Sequence, residues 1–334
     1  MKAIRYTLAA ALTVFAAASC QDNIAPEQNS ESGIIINATI ENTQTKTVLG
    51  EGVLGSDGKV HHKVLWTYKD NISVFDGAGN NHRFITYSET NSEAALFQLV
   101  SGDGGYCSES FDESGTYYYS IYPGNKNNYT FDATTKTIST EIDFIQTPKL
   151  NEPLHDLAFI CGIGTNKYTN GKEGDAERTH VDMTFKNAVA LIKFTLTSND
   201  ITQVRFIDQN NNFLCGNVTF KYSDGQSIIS SATDKYVHIN QTTRETVETT
   251  VDGETTTTTT YTYTPLEAGT YYMAIIPPST MIKPRIDLYT QTTYESRRID
   301  KTGDKAIKGK NEILLTPGTI LDLGKFNASG RVTE

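Results

Sequence analysis

The sequence predicts an all-β protein made of two tandem β-sandwich domains behind an export signal. Tyr, Thr, Ile and Val recur in short runs separated by Gly, Asn and Asp, the rhythm of strands and turns. No long stretch carries the 3.6-residue period of an amphipathic helix. Residues 33–41 alternate cleanly: Ile34, Ile36, Ala38 and Ile40 share one face while Asn37, Thr39 and Glu41 share the other, as a half-buried strand requires. Ile35 is the one apolar residue on the polar side.

Residues 1–19 read as a lipoprotein signal peptide. Lys2 and Arg5 precede an apolar stretch from Tyr6 to Ala18, and small residues lead to Cys20, the site at which lipid would be attached and the mature chain would begin. An ordinary signal with a chance cysteine is the alternative, and Ala17 stands where a bulkier aliphatic residue is usual. A membrane anchor would need about 20 apolar residues, more than this stretch supplies. Residues 20–32 are polar, contain Pro26 and read as a lipidated tether.

Removal of residues 1–19 leaves 315 residues, enough for two domains. It takes Lys2 and Arg5 away, so 27 basic residues face 39 acidic ones, a net charge of −12. Nucleic acid selects for basic patches and is not an expected partner. Cys107, Cys161 and Cys215 remain, an odd number without CxxC spacing. Buried free thiols are expected, with one disulfide as the alternative.

The first domain is expected over residues 33–163, with strands at Val64–Trp66, Ile72–Phe75, Phe84–Tyr87, Ala95–Val100, Tyr117–Tyr122 and Leu157–Cys161. Residues 164–180, polar and glycine-containing, read as a linker. The second domain, 181–334, opens with Val181–Phe185 and the alternating Ala188–Thr197, then continues through Val204–Ile207, Asn217–Tyr222, Tyr271–Pro277, Arg285–Thr290 and Ile320–Leu323. Within it, residues 244–264 place Asp252-Gly253 between two threonine-rich arms, the signal of a projecting hairpin solvated on both faces. A flexible low-complexity loop is the alternative there.

Motifs for chemistry are weak. His61, His62, His82, His155, His180 and His238 form no HxH or HExxH pattern, and His61-His62 reads as a polar turn, so no metal site is expected. Asp208, Asn210 and Asn212 imitate the start of a calcium loop, but Phe213 replaces its Gly and Thr219 its bidentate Glu, which leaves an asparagine-rich turn. Glu109, Asp112 and Glu113 read as a solvated acidic loop. Neither a nucleophile elbow nor a phosphate loop occurs. No catalytic residue and no cofactor is expected. Tyr117, Tyr118, Tyr119 and Tyr122 form the densest aromatic group; core packing is their expected role, with sugar stacking second.

The succession of motifs resembles the fimbrillin-like family, lipoprotein precursors of type V pilus subunits. Its matching stretches are Thr45-Lys46-Thr47; Trp66 with Asp70-Asn71-Ile72-Ser73-Val74-Phe75; and Tyr118-Tyr119-Ser120-Ile121-Tyr122-Pro123. They continue through Asp156-Leu157, Val181–Ala188, Tyr272–Pro278 and Leu315–Leu323. The resemblance implies two transthyretin-like sandwiches, a precursor lipidated at the outer membrane, and a first strand lost after cleavage by an Arg-directed protease. It also implies partners: other fimbrial subunits, joined by donor-strand exchange into the vacated groove. On that view Ile34, Ile36, Ala38 and Ile40 fill the groove and Lys46 is the candidate processing site.

Two departures stand out. No Arg lies between Cys20 and Arg83, so the cleavage loop offers only Lys46, Lys59 and Lys63. The tail from Gly324 to Glu334 is short and polar, a poor donor strand. A tip, accessory or anchor subunit is therefore expected over a repeating stalk subunit. A surface glycan-binding lipoprotein of a polysaccharide-uptake system is the alternative, and a surface hydrolase comes third.

Overall fold

The computed structural model describes residues 34–41, 48–54, 60–100, 105, 107, 109–124, 129–151, 159–170, 178–222, 228–251, 254–294 and 305–332. Among these residues every regular element is a strand. In chain order they are β1 (Ile34–Ile40), β2 (Val48–Leu54), β3 (Val60–Leu65), β4 (Asn71–Phe75), β5 (Asn81–Thr86), β6 (Ala94–Leu99), β7 (Tyr118–Tyr122), β8 (Thr130–Asp132), β9 (Thr137–Ile142), β10 (Ile145–Gln146), β11 (Ile160–Asn170) and β12 (Arg178–Asn187). There follow β13 (Ala190–Leu196), β14 (Gln203–Asp208), β15 (Gly216–Tyr222), β16 (Ile228–Ser231), β17 (Tyr236–Val251), β18 (Glu254–Thr264), β19 (Gly269–Ile275), β20 (Pro284–Tyr289), β21 (Thr293–Tyr294), β22 (Lys305–Lys308), β23 (Ile320–Asn327) and β24 (Gly330–Val332). The all-β expectation holds.

Seven strands pair in a closed circuit, β1-β12-β11-β7-β4-β5-β6, and β6 returns to β1. Alternation supplies the interior, as in β5, where His82, Phe84 and Thr86 are buried between half-exposed neighbours. Trp66 stands in the middle of this interior, fully buried. Its indole meets Phe97, Phe185 and Tyr122 edge-on, with ring centroids 4.9, 5.1 and 5.7 Å away, a geometry that adds to the area buried.

The remaining sheets are β21-β18-β17-β14-β20-β22 with β10 beside β17, then β19-β13-β23-β24, and β16-β15-β9-β8. Their apolar faces share one core containing Ile192, Phe194, Val204, Phe206, Val237, Met273 and Leu288. The outward residues Phe75, Tyr119, Ile121, Cys161 and Ile163 of the barrel belong to that same core. Tyr222 donates from its hydroxyl to the Ser120 carbonyl at 2.7 Å across this contact. Tyr118, Tyr119 and Tyr122 are buried as core residues, while Tyr117 is exposed.

Several expected segments take a different form. Within the segment 164–180, read as a linker, residues 164–170 instead belong to β11 and residues 178–180 to β12, antiparallel partners within the barrel sheet. Gly162, just before that segment, and Gly164, at its start, make room for side chains. A Cβ at Gly162 would lie 2.7 Å from the Phe185 ring, and one at Gly164 2.6 Å from Val181 Cγ1. His61 and His62 lie on β3, paired with β2, rather than in a turn. The tail does not end its strand near Leu323: β23 runs to Asn327, β24 pairs back on it, and Phe326 is fully buried. Residues 241–251 and 254–264 pair along their whole length as the expected hairpin.

Two aspartates fix turns from within. Asp76, 3% exposed, accepts from the Ala78 and Asn80 amides, from Asn80 Nδ2, from His82 Nε2 at 2.9 Å and from the Asp112 amide at 3.0 Å. Burial pushes its pKa up, but these donors outweigh burial and hold it below the ordinary value of 3.8. Asp208, fully buried, accepts from the Asn210 and Lys283 amides and from Asn212 Nδ2 at 2.6 Å. That is the asparagine-rich turn, with the carboxylate occupied by protein donors.

Cys161 and Cys215 are buried free thiols and Cys107 is a half-exposed one. Burial pushes both Cys161 and Cys215 up to about 12, so they stay protonated at neutral pH.

Two outcomes follow. Gly162→Val lowers stability by at least about 1–3 kcal/mol through overpacking against Phe185, read as a lower urea midpoint. The contribution of Asp76, whose folded pKa lies below its unfolded one, is complete above the unfolded value and is lost as pH falls through the folded one. Urea midpoints of Asp76→Ala should therefore fall less steeply on acidification than those of the parent chain.

Candidate functional site: the strand that closes the barrel

The strand β1 lies between two unlike neighbours. It pairs in parallel with β12, Ile34↔Thr179 through Ile40↔Phe185, and antiparallel with β6, Ile35↔Gln98 through Thr39↔Ala94. Its inward side chains are almost completely buried: Ile34 at 1% exposure, Ile36 at 0%, Ala38 at 1% and Ile40 at 4%. They pack with Trp66, Phe97, Val181, Met183 and Phe185 in one cluster. At roughly 1.5–3 kcal/mol for each isoleucine, as an upper figure, this one strand carries a large part of the barrel's apolar stabilisation.

The outward face sets the register. Asn37 Nδ2 donates to Asp182 Oδ1 at 2.7 Å, and Asn37 Oδ1 lies 3.3 Å from His180 Nδ1. A slip of one residue would carry Asn37 into the apolar interior and Ile36 out of it. At the end of the strand the Glu41 amide donates to the Phe185 carbonyl at 2.9 Å, and its carboxylate meets Lys186 Nζ at 2.8 Å. Ile35, expected on the polar side, is 7% exposed. The candidate lipid attachment point Cys20 and the candidate processing site Lys46 lie outside the described residues.

Other chemistry is dispersed. Among the described residues no group of three or more His, Cys, Asp or Glu is placed to hold a metal ion. His82 serves Asp76, His180 serves Asn37, and His238 Nδ1 lies 2.6 Å from Gln203 Nε2. A buried ionic cluster lies across β14 and β20, where Asp287 accepts from Arg205 at 2.7 Å and from Arg285 at 2.7 Å. A carboxylate shared by two guanidiniums is a structural cross-link, and losing either partner would be costly. Exposed Tyr68, Tyr117 and Phe213 each carry a lysine over the ring, Lys69, Lys136 and Lys235, at 5.3, 5.6 and 5.5 Å. No described helix is long and apolar enough to cross a membrane.

No protein-family model matches this chain. No curated protein matches it either. Among solved structures it is similar to a proposed cell adhesion protein from Bacteroides ovatus ATCC 8483, at 14% identity over 78% of this chain and 86% of that one, with a TM-score of 0.36. A fimbrial protein from the same strain matches at 14% identity and a TM-score of 0.30, over 89% of this chain and 51% of that chain. This chain thus spans about half the length of that fimbrial protein. The fimbrial anchor protein Mfa2 from Porphyromonas gingivalis matches at 8% identity over 77% of this chain and 78% of that one, with a TM-score of 0.29.

The alternation that marks β1 was readable in sequence, but its polar locks were not. Asn37 is more than 140 positions away from both His180 and Asp182, and nothing local signals their meeting. The expected outcome for the site is a contrast between faces: Ile36→Ala costs about 2–5 kcal/mol, whereas Thr39→Ala, at an exposed position, stays within about 0.5 kcal/mol. Urea unfolding followed through Trp66, the one tryptophan, measures both.

Proposed function

We propose that this chain is a structural and adhesive subunit of cell-surface fimbriae, held at the outer membrane by lipid on Cys20 and assembling by β-strand complementation. The observation that carries this is β1: the first described strand, whose four inward side chains are at most 4% exposed and which bridges β6 and β12. Loss of such a strand would expose an apolar groove flanked by two strand edges, and a strand of matching alternation from another subunit would refill it. Lys46 stands in the segment between β1 and β2, where a cut would detach β1 from the rest of the chain.

The packing of β23 supports an accepting rather than a donating role. Strand β23 lies in parallel beside β13, and Phe326 is fully buried. Donating this segment would empty its own core. A tip, accessory or anchor subunit therefore fits better than a stalk subunit, which must accept and donate.

Mass spectrometry of shed fimbriae and of membranes tests this. The expected result is the chain in fimbriae, joined to other subunits and either cut near Lys46 or retained whole with lipid on Cys20. A lipidated, intact chain never found with fimbriae would contradict the proposal, and a chain forming the major repeating band would contradict the preference for tip or anchor.

A further inference from the structure

The hairpin β17–β18 leaves the rest of the molecule with one long side of β17 uncovered. Strand β14 pairs with β17 over Tyr236–Asn240 and β18 follows it on the same side from Gln241 to Val251, flanked in turn by β20 and β21, while β10 takes the opposite side only at His238 and Ile239. Beyond Ile239, no described residue pairs with β17 on the β10 side. Residues 241–249 are all exposed. On β18 the outer side is already met at its base by β21, at Tyr261 and Thr262.

Open strand edges in soluble proteins are usually guarded by lysine, proline or a bulge. Residues 241–251 contain neither Lys nor Pro, and their pairing with β18 is continuous. The charges that are present, Arg244, Glu245 and Glu248, have no ion pair among the described residues. Within the hairpin Arg244 faces Tyr261 and Glu248 faces Thr257. Arg244 and Glu248 share a face of one strand but lie about 13 Å apart at the strand rise of ~3.3 Å per residue, too far to pair with each other.

We propose that this edge is a self-association surface, on which a second copy of the chain pairs antiparallel through β17 about a two-fold axis at Thr246. In that register Arg244 stands opposite the second copy's Glu248 and Glu248 opposite its Arg244, Thr243 faces Thr249, and Glu245 faces Val247. Both ion pairs are satisfied at once, as two-fold symmetry requires. Neighbouring registers are worse or neutral. An axis at Glu245 sets Glu245 against itself and one at Arg244 sets Arg244 against itself, and opposed like charges destabilise a sheet, while one at Val247 leaves Glu248 opposite Thr246. The favoured register also brings the two Val247 side chains, each 50% exposed, into diagonal contact. The product is a four-stranded ribbon, β18-β17 followed by the second copy's β17-β18. Its contact area is small, so the association is weak and concentration-dependent.

The test uses the full chain carrying Cys20→Ser, which keeps it free of lipid. Sedimentation equilibrium should show a monomer–dimer equilibrium. Arg244→Glu alone and Glu248→Arg alone should each weaken it about tenfold, by turning two cross-strand pairs repulsive. The double variant Arg244→Glu/Glu248→Arg should restore it, because the pairs are re-formed with their signs exchanged. All three should keep the parent's thermal midpoint, since the positions are solvent-exposed. Thr246→Cys should oxidise to a covalent dimer, the Cα atoms at the axis being ~4.5–5.5 Å apart. Thr242→Cys, far from the axis, should not. A chain that stays monomeric at every concentration overturns the proposal. So does a double variant as weak as the single ones, or a Thr246→Cys chain that cross-links only to a different protein.

Discussion

The fit of β1 between β6 and β12 is the constraint on which the barrel depends. Closure of a sheet removes its edges, and here closure is completed by one strand near the start of the described chain. Ile34, Ile36, Ala38 and Ile40 complete the wall around Trp66. The apolar face supplies the affinity. The Asn37, Asp182 and His180 contacts on the other face supply the register. A strand held in this way is tightly bound and fixed in register.

The rest of the molecule gives that strand a rigid frame. The outer faces of β4, β7 and β11 are buried in the larger core together with Tyr129, Phe220 and Tyr222, so the barrel wall opposite β1 is braced from outside. Asp76 ties the β4–β5 turn to the loop before β7 through the Asp112 amide. Asp208 binds the turn after β14 to the approach to β20. These carboxylates are committed to backbone and side-chain donors and act as structural links.

Much of the fold was legible because strand alternation is local. Residues 33–41, 188–197 and 217–222 show it directly, and Asp252-Gly253 between threonine-rich arms marks the hairpin. What escaped depends on contacts distant in sequence. Gly162 and Gly164 look like linker residues until Phe185 and Val181 are seen to fill the space above them. The tail looks polar because Phe326 is a single apolar residue among Lys325, Asn327 and Ser329, yet parallel pairing with β13 carries it into the core. In the site, the apolar half of β1 could be named from sequence, while its polar half required partners from β12. Pairing of His61 and His62 on β3 was missed for the same reason, since an isolated polar pair gives no sign of strand direction.

The central claim is that β1 is an exchangeable strand rather than a permanent one. The most direct measurement is exchange in the full chain after a protease cut between β1 and β2, using a fluorescent peptide with the sequence of residues 33–41. The account predicts that the peptide enters the cut protein, displaces β1 and leaves Trp66 buried, while a peptide carrying Ile36→Asp does not enter. Retention of β1 with no uptake of the matching peptide, or equal uptake of both peptides, would contradict it.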